Sequence, residues 1–222
     1  MKTALWSSAF KVAAATAVYA GMHSLLASRK VKTAADRIVG PRRRAAFYRP
    51  FYIAQSLVTF AGLYAYSRTL PDKTLYHVRG PAARLMNAGQ LAALAYAIWA
   101  ARQVGAADIL GIREVRDFTH RKPHIHPEPE AQGPSPESAN EMRITGPFRS
   151  SRHPLNFAPL PIFWLMPKMT VQLLAYNLVM TPYMILGSLH EEHRLQKAYG
   201  QKYERYQKSG VPFYLPRPWR SA

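Results

Sequence analysis

The stretch Gly146-Pro147-Phe148-Arg149-Ser150-Ser151-Arg152-His153-Pro154 concentrates side chains that can do chemistry. Arg149 and Arg152 present planar cationic forks suited to a carboxylate. His153 titrates near neutral pH and can hold or move a proton. Further along come His190-Glu191-Glu192-His193. Only three of the twelve carboxylates follow residue 141, namely Glu191, Glu192 and Glu204, and two of these are adjacent. If the apolar segment between the clusters folds back on itself, they become neighbours at one face. One reading is then a structural ion pair that anchors Arg149 and Arg152 to Glu191 and Glu192. The other is a ligand site, because ionisable groups at membrane depth are costly and are usually functional.

The segments that must position these clusters are apolar runs separated by basic blocks. Hydrophobic residues make up 48% of the 222, and the formal charge is +18. A mean hydropathy of −0.21 is low for a membrane protein, but the average hides this blocked pattern. A basic soluble domain would suggest nucleic acid. Lys and Arg gathered between apolar runs instead orient a chain in a bilayer, so the lipid bilayer, and not nucleic acid, is the expected partner. A spanning helix needs roughly 20 apolar residues, with about 17 as the lower limit. Five candidates emerge, at about residues 4–28, 51–67, 85–101, 157–167 and 169–189. The first contains Lys11 and runs into Arg29 without a small-residue cleavage site, so it reads as a retained span and not a signal peptide. The fourth is short and holds Pro159, Pro161 and Pro167, so a kinked or tilted arm is expected, paired with the fifth as a tight hairpin. Residues 191–206 read as an amphipathic helix carrying Leu195, Tyr199, Tyr203 and Tyr206. The expected fold class is therefore all-α: a polytopic integral membrane protein of about five transmembrane helices, with a C-terminal helical hairpin and a cytoplasmic amphipathic helix.

Charge sets the expected topology. Of the 30 Lys and Arg, 23 fall in residues 29–50, 102–152 and 190–222, and six fall on the other side of the expected spans. The rich side is cytoplasmic, which puts the N-terminus outside and the C-terminus inside, as in a bacterial inner membrane. The expected regions are N-terminal transmembrane helices (1–105), a partly mobile cytoplasmic loop (106–142) and a terminal functional region (143–222). With no cysteine, disulfides, thiolate catalysis and cysteine-ligated metals are excluded. His120, His124 and His126 sit in a Pro-rich stretch without further ligands, so no metal site is expected. His23, inside the first span, is as consistent with an interhelical hydrogen bond as with a functional role. Arg42-Arg43-Arg44 reads as an orientation signal with affinity for anionic headgroups. Phe213, Tyr214 and Trp219 are expected at the membrane interface.

Gly-Pro-Phe-Arg-x-x-Arg-His-Pro, a proline-bearing apolar hairpin, Glu-Glu-x-x-Leu (191–195), Gly200-x-x-Tyr203-x-x-Tyr206 and Val211-Pro212…Pro216 follow one another in order. This pattern, over residues 143–218, resembles the isoprenylcysteine carboxyl methyltransferase superfamily. Phe163-Trp164, Pro167-x-Met169-Thr170, Thr181 and Tyr183 are similar to the bacterial methanethiol S-methyltransferase branch, and His23-Ser24-Leu25-Leu26 resembles that branch and its NnrU-type relatives. The resemblance implies S-adenosylmethionine as cofactor, held by Gly146, Arg149, Arg152, His153, Pro154, Glu191, Glu192, Tyr203 and Tyr206. Arg149 or Arg152 would pair with its carboxylate, Glu191 or Glu192 with its ammonium or ribose hydroxyls, and the tyrosines would cover its adenine. His153, Arg152 and Glu192 are the expected catalytic residues. His153 is the favoured base for a thiol acceptor, while His190 and His193 read as capping or interface groups. Relatives often carry Tyr where this chain has Asn156. The absence of a glycine-rich dinucleotide fingerprint argues against a soluble Rossmann-type enzyme. The implied activity is methyl transfer to a small or lipophilic acceptor, first a thiol, with a phospholipid amine or prenylcysteine carboxylate as alternatives. A non-catalytic NnrU-type accessory protein is the rival from another class; an intact Arg152-His153-Pro154 and Glu191-Glu192 pair favours catalysis.

Overall fold

The computed structural model describes residues 2–123, 142 and 144–217, and these are dominated by helices. Two compact units share the chain. The first holds residues through Leu75, those from Ala107, and Thr170–Met180; the second holds Tyr76–Ala106, the motif-bearing stretch up to Met169, and the chain from Thr181.

In the first unit, α1 (Lys2–Ala27) packs against α3 (Pro41–Arg68), with α2 (Arg29–Val39) folded beside α3. Ser28 caps α2, its hydroxyl accepting from the Val31 amide at 3.4 Å. Gly40, at φ +85°, ends α2, and Pro41 opens α3 where its missing N–H costs nothing. His23 on α1 meets two hydroxyls of α3, Ser56 Oγ at 2.9 Å from Nδ1 and Tyr52 on Nε2. It is thus an interhelical polar contact. After α5 (Ala106–Leu110), α6 (Ile112–Thr119) packs against α3. Gly111 makes this possible: it sits at φ +73°, and a Cβ there would lie 2.7 Å from the ring of Pro50.

In the second unit, α4 (Gly80–Val104) is the wall on which the functional segment is built. A 3₁₀ turn (Gly146–Arg149), α7 (Pro154–Phe157) and α8 (Pro159–Trp164) all pack on it. Gly89 allows α8 to approach, since a Cβ there would meet Leu165 Cδ1 at 2.7 Å, and Gln90 Nε2 donates to the Ile162 carbonyl at 2.6 Å. A two-stranded pairing of β1 (Thr74–His77) with β2 (Lys168–Thr170) precedes α9 (Val171–Tyr199), whose residues through Met180 belong to the first unit. Gly200, at φ +54°, separates α9 from α10 (Gln201–Lys208).

Several expectations change here. The expected kinked arm over 157–167 is broken instead: α7 ends at Phe157 and α8 spans only Pro159–Trp164, because the closely spaced prolines remove donors and clash with a continuing helix. The expected helix over 191–206 is instead the end of α9 followed by α10, since α9 continues through Pro182 and stops only at the positive-φ glycine. Among the described residues no helix is long and apolar enough to cross a membrane. Length is not what fails: α1, α3, α4 and α9 have 26, 28, 25 and 29 residues, more than the roughly 20 a bilayer requires. Alanine and interspersed polar or basic residues dilute their apolar character. Most of the loop over 120–140, including His124 and His126, and Trp219 lie outside the described residues. Among the described residues no group of histidines and carboxylates could hold a metal ion.

Candidate active site

Polar atoms on α4 hold the motif in place. The Tyr96 hydroxyl meets Ser150 Oγ at 2.8 Å, and Thr145 Oγ1 donates to Gln103 Oε1 at 2.7 Å. Gly146 opens the 3₁₀ turn at φ +54°, with Gln103 and Trp99 only 3.0–3.2 Å from where a Cβ would stand. Pro154 is buried at the first turn of α7, where proline is preorganised for a helix start. The hairpin then returns along α9, with Trp164 Nε1 donating to Thr181 Oγ1 at 2.9 Å. Ser188, Glu191, Glu192 and Leu195 recur at three- and four-residue spacing on α9 and therefore share a face.

This arrangement brings together the two clusters that are forty residues apart in sequence, as the pair Arg152 and Glu192 shows. Arg152 Nε donates to Glu192 Oε1 at 2.7 Å, and its Nη1 donates to the Val211 carbonyl at 2.8 Å. His153 Nε2 lies 3.2 Å from the same Glu192 oxygen, and its Nδ1 lies 3.3 Å from Glu191 Oε2. Gln207 Nε2 occupies Glu192 Oε2 at 2.9 Å. Asn156 Nδ2 donates to Glu191 Oε2 at 2.9 Å and to Ser188 Oγ at 2.8 Å. The other Glu191 oxygen, Oε1, is buried and has no hydrogen-bond partner among the described residues.

Electrostatics follow from this geometry. Burial disfavours a charged His153, but hydrogen bonds and charge from Glu191 and Glu192 outweigh it and raise its pKa. Both ring nitrogens face carboxylate oxygens, so the imidazolium, with two N–H donors, is the form that satisfies them. Burial likewise works against an ionised Glu192, yet His153 and Arg152 pull its pKa down to about 2. The His153 side chain is 2% exposed and faces a carboxylate with each ring nitrogen, which suits it to hold Glu191 and Glu192 together.

Other expected site residues have different surroundings. Tyr203 and Tyr206 are fully buried in a small core with Leu195 and Val211, and the Tyr206 hydroxyl donates to the Phe148 carbonyl. Burial pushes both phenols well above their ordinary range. They brace the motif as core residues instead of presenting an open face for adenine. Arg149 is exposed at the rim, its Nε donating to the Ile144 carbonyl at 3.3 Å. His190 and His193 are exposed and outside the cluster. Phe213 and Tyr214, expected at a membrane interface, instead pack against His153, with ring centroids at 4.8 and 6.2 Å. The residues after α10 form a strap over the motif. The Arg152 amide donates to the Pro212 carbonyl at 2.9 Å, and the Arg217 amide to the Ser150 carbonyl at 3.0 Å. Ser188, Gln207 and Tyr214 belong to the site although the motif pattern does not single them out. For Ser188 the signal was available, one turn before Glu191 and Glu192 on the same helix face.

A zwitterionic cofactor with an ammonium fits the donor set: Glu191 Oε1 is a buried acceptor that lacks a donor among the described residues, and Arg149 is an exposed cation three residues before Arg152 in the same motif. No protein-family model matches the chain, and no solved structure matches it. Two curated proteins do. The chain is 38% identical over 79 residues, 33% of its length, to a methanethiol S-methyltransferase of Pseudomonas deceptionensis, covering 30% of that protein. A stretch of 65 residues, 29% of the chain, is also 38% identical to a methanethiol S-methyltransferase of Crocosphaera subtropica (strain ATCC 51142 / BH68), covering 25% of it. The chain thus matches less than a third of each relative, and over that stretch it is similar to methyltransferases that act on a thiol.

Proposed function

We propose that the chain is a membrane-embedded S-adenosylmethionine-dependent methyltransferase whose acceptor is a small or lipophilic molecule, first of all a thiol. The observation that carries this reading is the closure of Arg152, His153, Glu191 and Glu192 into one largely buried cluster that leaves Glu191 Oε1 without a partner among the described residues. The two relatives, both methanethiol S-methyltransferases, support the reaction and the thiol. When bound, S-adenosylmethionine supplies a sulfonium-borne methyl group open to in-line attack.

The chain's own residues bind and align. Glu191 would hold the cofactor's ammonium through Oε1, and Arg149 would hold its carboxylate. Arg152 has its strongest bond to Glu192 and so holds the motif against α9. His153 ties both glutamates to the start of α7. A thiol acceptor loses its proton to water and attacks as the thiolate, with S-adenosylhomocysteine leaving, so transfer depends chiefly on alignment of thiolate and methyl group. The bilayer is the proposed location. Trp6 and Phe10 on α1 are about three-quarters exposed, at 76% and 75%, and Leu57, Val58, Leu85, Leu91 and Leu186 are likewise open. So many exposed apolar side chains along four long helices are costly in water and natural against lipid. Lateral entry of a lipophilic acceptor follows from that location.

The test is methyl transfer from methyl-labelled S-adenosylmethionine by the full chain reconstituted in vesicles, with a series of small thiols. Label in the volatile methyl thioether supports the thiol reading. Label in lipid would move the acceptor to a phospholipid amine. A folded protein that transfers no label to any acceptor would leave the NnrU-type accessory role in its place.

A further inference from the structure

We infer that Asn156 is a positioning residue that fixes the carboxylate of Glu191 and thereby keeps its Oε1 available to a ligand; this rests on the cofactor reading above. The hydrogen ledger around Asn156 closes. Ser188 Oγ donates its one hydrogen to the Met184 carbonyl at 3.0 Å. It can therefore only accept from its other two neighbours, Asn156 Nδ2 at 2.8 Å and the Tyr214 hydroxyl at 2.9 Å. Both hydrogens of the Asn156 amide are then committed, one to Ser188 and one to Glu191 Oε2 at 2.9 Å. Two acceptors side by side also fix which way the amide faces.

The consequence falls on Glu191. Its Oε2 receives Asn156 and faces His153 Nδ1, so that oxygen is engaged, while Oε1 has no partner among the described residues. Glu192 is different, with Arg152 and His153 on one oxygen and Gln207 on the other. Of the two glutamates only Glu191 keeps a buried acceptor for an incoming cation, and Asn156 selects which oxygen that is. A phenol cannot do this work in the same way, because it has one donor where the amide has two.

The experiment uses the full chain in detergent, with Asn156→Leu, which removes both donors at similar volume, and Asn156→Asp, which donates only when its carboxyl is protonated. Two titrants are compared: S-adenosylmethionine, and methylthioadenosine, which has the nucleoside but no ammonium. The expected result is a loss of about tenfold for S-adenosylmethionine in Asn156→Leu, with methylthioadenosine binding unchanged. Asn156→Asp should regain affinity as the pH is lowered, and Asn156→Leu should not. Equal weakening of both titrants, or no weakening of either, would overturn the positioning role. A second arm needs no ligand. In ¹⁵N spectra of the histidines, Asn156→Leu should move the Nδ1 signal of His153, which faces Glu191, and leave Nε2, which faces Glu192. Unmoved Nδ1 would also overturn it. If the wild type binds no S-adenosylmethionine, the cofactor reading falls, and the ¹⁵N arm still decides whether Asn156 positions Glu191.

Discussion

Glu191 and Glu192 stand side by side in the sequence, yet their carboxylates are engaged to different degrees. Both oxygens of Glu192 are taken, by Arg152 and His153 on one and Gln207 on the other. Removing it would leave the nearly buried Arg152 without its counter-charge and His153 with Glu191 alone, a change that costs about 3–5 kcal/mol for a buried pair. We therefore expect Glu192→Ala to lower stability by that order in chemical denaturation. Glu191→Gln should disturb stability much less and weaken cofactor binding instead. Equal destabilisation by the two would contradict the division of roles. The pH dependence follows from the two shifts. His153 has a raised pKa, so its contribution is fully present below 6.5 and is lost as pH rises through the raised value. Glu192 is lowered from 4.5 to about 2, so its contribution is present above 4.5 and lost as pH falls through about 2. The stabilisation lost in His153→Gln should therefore be largest between 4.5 and 6.5 and fade in alkali. Melting temperatures of both proteins across pH check this, and a difference that stays flat into the alkaline range contradicts it. At this scale the sequence was informative about charged types and silent about valence: nothing in Glu-Glu tells which oxygen stays free. Asn156 stood out only as a departure from the pattern, and its donors acquired meaning once Ser188 and Glu191 were placed around it.

Helices and turns decide whether the clusters meet. The hairpin was legible because the two basic and acidic clusters flank a single apolar, proline-bearing stretch, and its closure puts Arg152 against Glu192. Where the arms break was less legible. Periodicity joined residues 191–206 into one helix, but the backbone at Gly200, with φ +54°, turns the chain there. The tyrosines read as an aromatic face for a ligand, yet the strap from Val211 buries them. A stripe of aromatic residues at helical spacing serves a core as well as it serves a ligand, and only the tertiary partner distinguishes the two. The motif's own start is more demanding. Gly146 combines a positive φ with close neighbours at Gln103 and Trp99. Gly146→Ala should cost about 1–2 kcal/mol from the left-handed backbone alone, with crowding added, and should weaken cofactor binding because Arg149 follows directly in that turn. Thermal unfolding and titration together test it; a wild-type melting temperature would mean that the turn relaxes freely.

For the whole molecule, composition pointed two ways: a basic, blocked sequence toward the bilayer, and a low mean hydropathy away from it. The long helices are there, but among the described residues none is apolar enough to cross a membrane, because alanine and scattered polar groups stand where leucine would give a clear signal. Their exposed tryptophan, phenylalanine and leucine side chains support lipid contact all the same. We expect the chain to stay in the membrane fraction after alkaline carbonate washing, with a C-terminal tag accessible from the cytoplasmic side. Release into the supernatant would contradict the embedded location. The cofactor is the centre of the account, and one titration tests it most directly: calorimetry of S-adenosylmethionine into the purified full chain, wild type beside Glu191→Gln. Binding by the wild type, weakened about tenfold or more in Glu191→Gln, is the predicted result. A folded wild type that gives no binding heat at any temperature tried would contradict it.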